Sequence, residues 1–430
     1  MRPSKRPLFA SSLTALVLGS AAAISAGCSA GDANGRVYSH VDVRVGDRFD
    51  DLIPHAGGFL GRAKTIVSRL DAKGNDLGYF SVDGLLDAAP VSSGDVVTLA
   101  FASGGYELAR HDSSGTKRWA VGLPLGSRQT TIPQITGDGD DTLVVGAAFE
   151  QSLEIGCPKP AWGLYVSRWD ARGKCTDMWS LAEMPKGLSF GYYNAGDYFR
   201  LAGPVVAPDG ALALAGEFRR SLSLGGTTLT AAGGYEDTDL FVTVVERDGR
   251  VRFAHAAGST SSTDEIGELA FDPSGSSLFL GGASFGDLTF GGKAEPTTGG
   301  DFFVASFDAS SGSKRWARRF GERVELGDRV SGLASDGAGH VVVSALGCTA
   351  SGPDVEIVRG DGGVTTSCVC VLDDDTGVPR LRRQMNVSAT AVAATPESFW
   401  VSGTYSGRPV IGATPVPSGS EFVARFDYAR

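Results

Sequence analysis

Five histidines, six cysteines and two acidic clusters are the side chains in this sequence whose chemistry could serve catalysis or metal binding. His40, His55, His111, His255 and His340 stand far apart, so any acid–base or metal site built on them must be assembled from distant segments. His111 and His340 adjoin strand-like runs and read more simply as residues of those strands. Asp138-Gly139-Asp140-Asp141 and Asp373-Asp374-Asp375-Thr376-Gly377 offer the oxygen ligands that calcium needs. Neither keeps the Asp-x-Asp-x-Asp-Gly spacing with a distal carboxylate, so both read as hairpin turns. Cys368-Val369-Cys370 lacks the histidine or second cysteine pair of a zinc site. The expectation is a chain with no catalytic residue, no cofactor and no metal.

One segment could do recognition instead. Phe190-Gly191-Tyr192-Tyr193-Asn194-Ala195-Gly196-Asp197-Tyr198-Phe199 carries five aromatics in ten residues. Exposed on a loop, Phe190, Tyr192, Tyr193, Tyr198 and Phe199 would offer a protein or carbohydrate large contact area at low entropy cost. Packed inward, the same residues would plug a gap between neighbouring structural units, and the sequence leaves both readings open.

The first thirty residues set the address. Arg2, Lys5 and Arg6 precede an uncharged stretch from Pro7 to Gly31 whose apolar centre includes Leu13, Leu16, Val17 and Leu18, the pattern of a secretory signal peptide. Ser25-Ala26-Gly27-Cys28 closes it and resembles the bacterial lipoprotein signal, which implies cleavage after residue 27 and a lipidated Cys28 as the new first residue. Ser25 stands where that pattern usually has Leu, Val or Ile. Ordinary signal-peptidase cleavage and an uncleaved anchor helix are the alternatives, the second opposed by the Ser, Ala and Gly that dilute the stretch. Residues 28–35 then form a flexible tether, and the absence of Asp after Cys28 resembles sorting to the outer membrane. Export implies an oxidising compartment, so the remaining cysteines become disulfide candidates. Cys157 with Cys175 is one pair and Cys348 with Cys368 or Cys370 another, each closing a loop worth about 3 kcal/mol if unstrained. A fifth thiol is left over, because Cys368 and Cys370 share one face of a strand.

The rest of the chain is built of repeats. A strand ending in an acidic turn recurs seven times, at Ile66 to Asp71, Leu108 to Asp112, Tyr165 to Asp170, Phe241 to Glu246, Phe303 to Asp308, Cys368 to Asp373 and Phe422 to Asp427. The mean spacing is about 59 residues. Six copies follow a second strand-like run, and several continue through a Gly turn into a third, as in Asp112-Ser113-Ser114-Gly115-Thr116-Lys117-Arg118-Trp119. With a fourth run upstream, each unit holds about four antiparallel strands, which predicts an all-β propeller over residues 36–430 with seven blades, or six if the first unit is incomplete. The Asp-x-x-Ser-Gly-x-x-x-Trp turn resembles the repeat of quinoprotein-type propellers. The longer unit from Leu278 to Ala305 resembles the seven-bladed repeats of secreted bacterial lipoproteins, and these motifs imply a fold but no chemistry.

The last unit ends after its third strand. The alternating segment Arg36 to Val45 is the expected fourth, closing the ring. Composition agrees with a folded, turn-rich body: 60 Gly, 42% hydrophobic and 20% charged residues. Removing the first 27 residues leaves 36 positive and 49 negative charges, which disfavours nucleic acid as a partner. Three function classes follow: a monomeric, membrane-tethered binding or scaffold module meeting an envelope protein or glycan; a carbohydrate-active or quinone-linked enzyme with an axial site; and a structural surface protein.

Overall fold

A computed structural model describes residues 38–428, apart from 46–48, 56, 125–131, 154, 159–160, 184–200, 233–237, 260–263, 285, 287, 291–292, 295–300, 321–328, 347–354, 359–366, 386, 406–409, 412–413 and 416–420. The described residues form seven antiparallel sheets of at least four strands, arranged as the blades of a propeller, with no helix. From axis to periphery, blade 1 is Asp51–His55, Gly58–Ala63, Ile66–Asp71 and Asp76–Ser81. Blade 2 is Leu85–Pro90, Val96–Ala102, Gly105–His111 and Lys117–Pro124. Blade 3 is Gln134–Asp138, Asp141–Leu153, Ala161–Trp169 and Cys175–Glu183. Leu201–Val206, Leu212–Phe218, Asp239–Val245 and Val251–Gly258 make blade 4. Blade 5 is Glu265–Phe271, Ser277–Ser284, Asp301–Asp308 and Lys314–Phe320, and blade 6 is Arg329–Ser335, His340–Leu346, Ser367–Asp373 and Pro379–Met385. Blade 7 takes Ser388–Thr395, Ser398–Thr404 and Glu421–Tyr428 from the end of the chain and Tyr38–Val45 from its start.

That last pairing closes the ring. Tyr38–Val45 runs antiparallel to Glu421–Tyr428, from Tyr38 opposite Tyr428 to Val45 opposite Phe422, as the repeat count requires. Seven blades, not six, are present, and the first unit supplies its second strand as Gly58–Ala63.

Strand faces follow from stacking. A blade between two others buries both of its sides, so its middle strands are apolar on both faces instead of alternating with polar residues. Ser277–Ser284 is buried throughout, and along Asp301–Asp308 the alternate residues serve opposite neighbours. Phe303, Ala305 and Phe307 pack toward blade 4, whereas Phe302 and Val304 pack toward blade 6. Seven apolar clusters result among the described residues, one at each blade-to-blade interface.

The hairpins joining third and fourth strands explain the acidic repeat. Asp71 Oδ1 accepts the backbone N–H of Lys73 and Asn75, Asp112 Oδ1 those of Ser114 and Thr116, and Asp170 Oδ1 those of Arg172 and Lys174, all within 3.0 Å. A short carboxylate is the side chain that can satisfy such a turn, which then needs a left-handed residue to reverse. Gly74, Gly115 and Gly173 supply it at φ +74°, +83° and +77°.

These glycines have a second role, as the seats of the neighbouring blade. Trp119 lies against Gly173, where an added Cβ would come within 2.8 Å of its ring, and Trp119 Nε1 donates to Ala171 O at 2.9 Å. Trp316 repeats the contact on Gly377, with Nε1 donating to Asp374 O at 2.7 Å. Phe80 takes the same place over Gly115, Trp179 over Gly249 and Phe253 over Gly312. Arginines add a second tie at three of the interfaces: Arg69 to Ser113 O, Arg252 to Ala309 O and Arg318 to Thr376 O, at 3.1, 3.0 and 2.8 Å.

Two outcomes follow. Gly173→Ala combines a left-handed backbone with the Trp119 collision and should cost about 2–4 kcal/mol, whereas Gly139→Ala, at φ +64° with open space around it, should cost only about 1 kcal/mol. Equal losses in urea melts of the two variants would refute the seating role. Deleting residues 35–45 should lower the melting temperature by at least about 5 °C, and an unchanged melt would show that ring closure does not depend on this strand.

Candidate functional site at the axis and the insertion rim

Strand direction alternates within a blade, so the molecule has two unlike rims. One carries the first-to-second and third-to-fourth strand hairpins, short turns most of which hold an Asp and a Gly. The other carries the second-to-third hairpins and the connections between blades, where the chain inserts its extra residues, as the sequence led one to expect. Glu183 and Leu201, the ends that flank the aromatic segment, both lie on this insertion rim. Phe190, Tyr192, Tyr193, Tyr198 and Phe199 themselves lie outside the described residues, as do Cys28 and Cys348.

The seven innermost strands touch in sequence around the axis, from Asp51–His55 through to Ser388–Thr395 and back. Period-two alternation sends Leu52 into the core between blades 7 and 1 and leaves Asp51 facing the axis. The inner strands contribute the partly buried carboxylates Asp51, Asp87 and, on blade 5, Glu265 and Glu268 to the axial wall. Arg62 reaches into it from blade 1. Its guanidinium lies 3.9 Å from both Asp51 Oδ2 and Asp87 Oδ1, and Nη1 donates to Leu86 O at 2.9 Å.

Asp87 is strongly perturbed. Its carboxyl is pushed up to about 6, by burial first and against the pull of Arg62, while its oxygens accept the N–H of Ile135 and Ala88 at 2.8 Å. Enclosure also raises Asp51, again against Arg62. Asp51 nevertheless keeps 42% of its side chain accessible. Chemically, a carboxylate poised near neutrality beside an arginine could exchange a proton or hold a cation or hydroxyl group. Among the described residues, no three His, Cys, Asp or Glu side chains are grouped to hold a metal.

The same inner ring explains why Asp87 sits there at all. At four of the seven inner strands, a backbone N–H at or just before the start of the strand is met by a side chain of the preceding blade. Glu217 accepts the N–H of Ile266 at 3.0 Å, Ser367 that of Ala389 at 2.9 Å and Ser402 that of Phe49 at 2.8 Å, as Asp87 does for Ile135. Asp51, Arg62 and Asp87 escaped the sequence reading because they occupy different strands and no spacing links them. The one signal was an acidic residue inside an otherwise apolar inner strand.

The histidines are spread over the ring. His111 bonds Thr98 Oγ1 at 3.1 Å within blade 2, and burial lowers its pKa, as it does for His255 in blade 4. His340 Nδ1 meets Asp336 Oδ2 at 2.7 Å, and that carboxylate raises its pKa. Both acidic clusters are turns: Asp138 and Asp141 flank a blade 3 hairpin and pair with Arg168, and Asp373 accepts from Thr376 and Arg380. Cys157 and Cys175 form a disulfide. Cys368 is also disulfide-bonded, and Cys370 is a buried thiol whose pKa burial pushes up to about 12.

No family model matches this chain, and no curated protein matches it. Its fold is similar to several solved structures. These include Kuenenia stuttgartiensis hydrazine synthase, at 13% identity over 84% of this chain and 93% of that one with a TM-score of 0.49. Quinohemoprotein alcohol dehydrogenase from Comamonas testosteroni is similar at 10% identity over 92% and 77% of the two chains, TM-score 0.46. BamB from Moraxella catarrhalis is similar at 14% identity over 90% and 97%, TM-score 0.40. At these identities the likeness is one of propeller fold.

The raised Asp87 has a measurable sign. Its folded value exceeds the ordinary 3.8, so the folded state binds this proton more tightly than the unfolded chain does. Its contribution therefore grows as pH falls through 6 toward 4, and the ionised form at neutral pH costs the fold on the order of 3 kcal/mol. The melting temperature of Asp87→Asn, relative to the parent, should move in the variant's favour by several degrees between pH 4.5 and pH 7.5. A constant offset across that range would exclude Asp87 as the titrating group.

Proposed function

We propose that this chain is a non-catalytic propeller tethered by lipid to a bacterial envelope membrane, where it binds or scaffolds another macromolecule. One observation carries the reading. Tyr38, ten residues beyond Cys28, enters the outermost strand of blade 7 opposite Tyr428, at the rim of tight Asp turns. A tether of that length spans at most about 35 Å. An acylated Cys28 would hold the disc from its turn rim and turn the insertion rim, with the Phe190 to Phe199 segment, toward a partner.

Physical chemistry supports this arrangement on three counts. The turn rim spends its carboxylates on its own backbone, so it has little left to offer a ligand. A net charge of −10 gives no electrostatic hold on anionic lipid, so attachment falls to acyl chains, and stable anchoring needs more than one. Both faces of each blade are already covered within the ring, which suits a monomer that presents loops. The alternative, an axial carbohydrate-active or quinone-linked enzyme, draws on the enclosed carboxylates Asp51 and Asp87. Turnover of a glycan or quinone panel that Asp51→Asn abolishes would favour it.

The tether is tested by fractionating host cells that express the parent or Cys28→Ala. The parent should sediment with membranes, take up labelled palmitate and yield an N-terminal peptide beginning at acylated Cys28. The variant should lose both label and sedimentation. A parent chain recovered soluble and unlipidated would sink the proposal.

A further inference from the structure

We propose that the outer edge of blade 1, strand Asp76–Ser81, receives an extended segment of a partner protein, which adds to the sheet as a fifth strand. The inference deepens the binding-module reading and rests on it, but it concerns the side of the disc instead of either rim.

The molecule itself shows what its outer edges accept. Blade 3 is extended by Ser221–Leu224, which pairs with Cys175–Glu183 through Leu224 opposite Ala182 and Ser223 opposite Glu183. That strand reads Ser-Leu-Ser-Leu, with both leucines buried and both serines exposed. Thr289–Phe290 similarly extends blade 4, and Val355–Val358 pairs in parallel with the outer strand of blade 6. Among the described residues, the outer strands of blades 1, 2, 5 and 7 pair with nothing further.

Those four edges are not alike. Blade 2 presents Lys117 and Arg118 along its edge, blade 5 presents Lys314, Arg315, Arg318 and Arg319, and the outer strand of blade 7 contains Arg44. Cations on a free edge discourage another strand from pairing with it. Asp76-Leu77-Gly78-Tyr79-Phe80-Ser81 has no cation. Leu77 and Tyr79 are 53% and 57% exposed, and Ile66, 38% exposed, lies on the Tyr79 face of the adjoining strand, two residues from its partner Ser68. Phe80 points the other way, against Gly115 of blade 2, which holds the strand in place.

Backbone alternation supplies the hydrogen bonds. Val82 N donates to Thr65 O at 2.7 Å, and the register continues as Ser81 opposite Ile66, Phe80 opposite Val67 and Tyr79 opposite Ser68. In an antiparallel ladder, bonded and non-bonded pairs alternate, so the N–H and C=O of Tyr79 and Ser81 point away from the sheet. An incoming strand would pair with those groups and set alternate apolar side chains on Leu77, Tyr79 and Ile66, the mode called strand addition. The occupant is thus a short segment with the polar–apolar alternation of Ser221–Leu224. The chain's own residues 29–35, Ser-Ala-Gly-Asp-Ala-Asn-Gly, lack such side chains.

The test is hydrogen exchange of the full secreted chain with the synthetic peptide Lys-Ser-Leu-Ser-Leu-Ser-Leu-Lys. Slowing of exchange at residues 77–82 by at least about fivefold is expected, with residues 117–124 and 314–320 unchanged. Ser81→Pro, which removes one outward N–H, and Leu77→Lys with Tyr79→Lys should each abolish the footprint. No footprint, an equal footprint on the cationic edges, or one that survives both variants overturns the proposal. In host cells, a photocrosslinker at position 79 should capture an alternating segment of another protein. Capture of residues 28–37, of a second copy of this chain, or of nothing overturns it as well. Because the peptide footprint needs no lipid, it is read independently of the Cys28 fractionation.

Discussion

The seating of one blade's aromatic side chain on the next blade's turn glycine is the contact from which the remaining order follows. A single four-stranded sheet cannot bury both faces, and an isolated unit of this size would be marginal. Seven sheets solve the problem only if each is held at a fixed angle and spacing to its neighbour. Trp119 on Gly173 and Trp316 on Gly377 set that spacing at the periphery, and Asp87 to Ile135 or Ser402 to Phe49 set it near the axis. With both radii fixed, the apolar strands between have one way to pack.

Ring closure uses the same logic with a different chain order. Blade 7 obtains its outer strand from the N-terminus, so it lacks the ordinary third-to-fourth hairpin, and that strand's sequence has no tryptophan like Trp119 or Trp316. Trp400, on the second strand, stands in for it. It approaches Gly74 of blade 1 and packs 4.5 Å from Phe59, with the Arg425 guanidinium 5.5 Å over its ring. The seam therefore keeps the aromatic-on-glycine contact even though the covalent order is broken there.

Much of this was legible in the sequence because it is local. The acidic turn, its glycine and the tryptophan four residues later recur within one hairpin, and Arg36 to Val45 declared itself by an alternation that the last unit lacked. The first unit's second strand was not legible. Gly58–Ala63 offers Gly-Phe-Leu-Gly-Arg-Ala, too short and glycine-rich to stand out, and Phe49 fills the space above Gly61. The axial group was hidden for another reason. Asp51, Arg62 and Asp87 meet only after three strands have been placed, and Asp87's first duty, accepting the Ile135 amide, has no sequence signature.

Where the chain can recognise something else follows from which polar groups the ring has already used. On the turn rim, Asp71, Asp112, Asp170, Asp308 and Asp373 are bound by their own hairpins, and hydrogen bonds from the turn residues hold the Asp112, Asp308 and Asp373 carboxyls below the ordinary range. Changing that rim would loosen the seating of the neighbouring blade. The insertion rim is committed differently: Ser221–Leu224 and Thr289–Phe290 leave it to extend the preceding blades and bury Leu222, Leu224 and Phe290 in the cores. The outer edges lie between these cases, because extra strands cover some and cations guard others. Among the described residues, blade 1, the seam partner with the smallest apolar cluster on its blade 2 side, is left with an edge that is neither covered nor guarded.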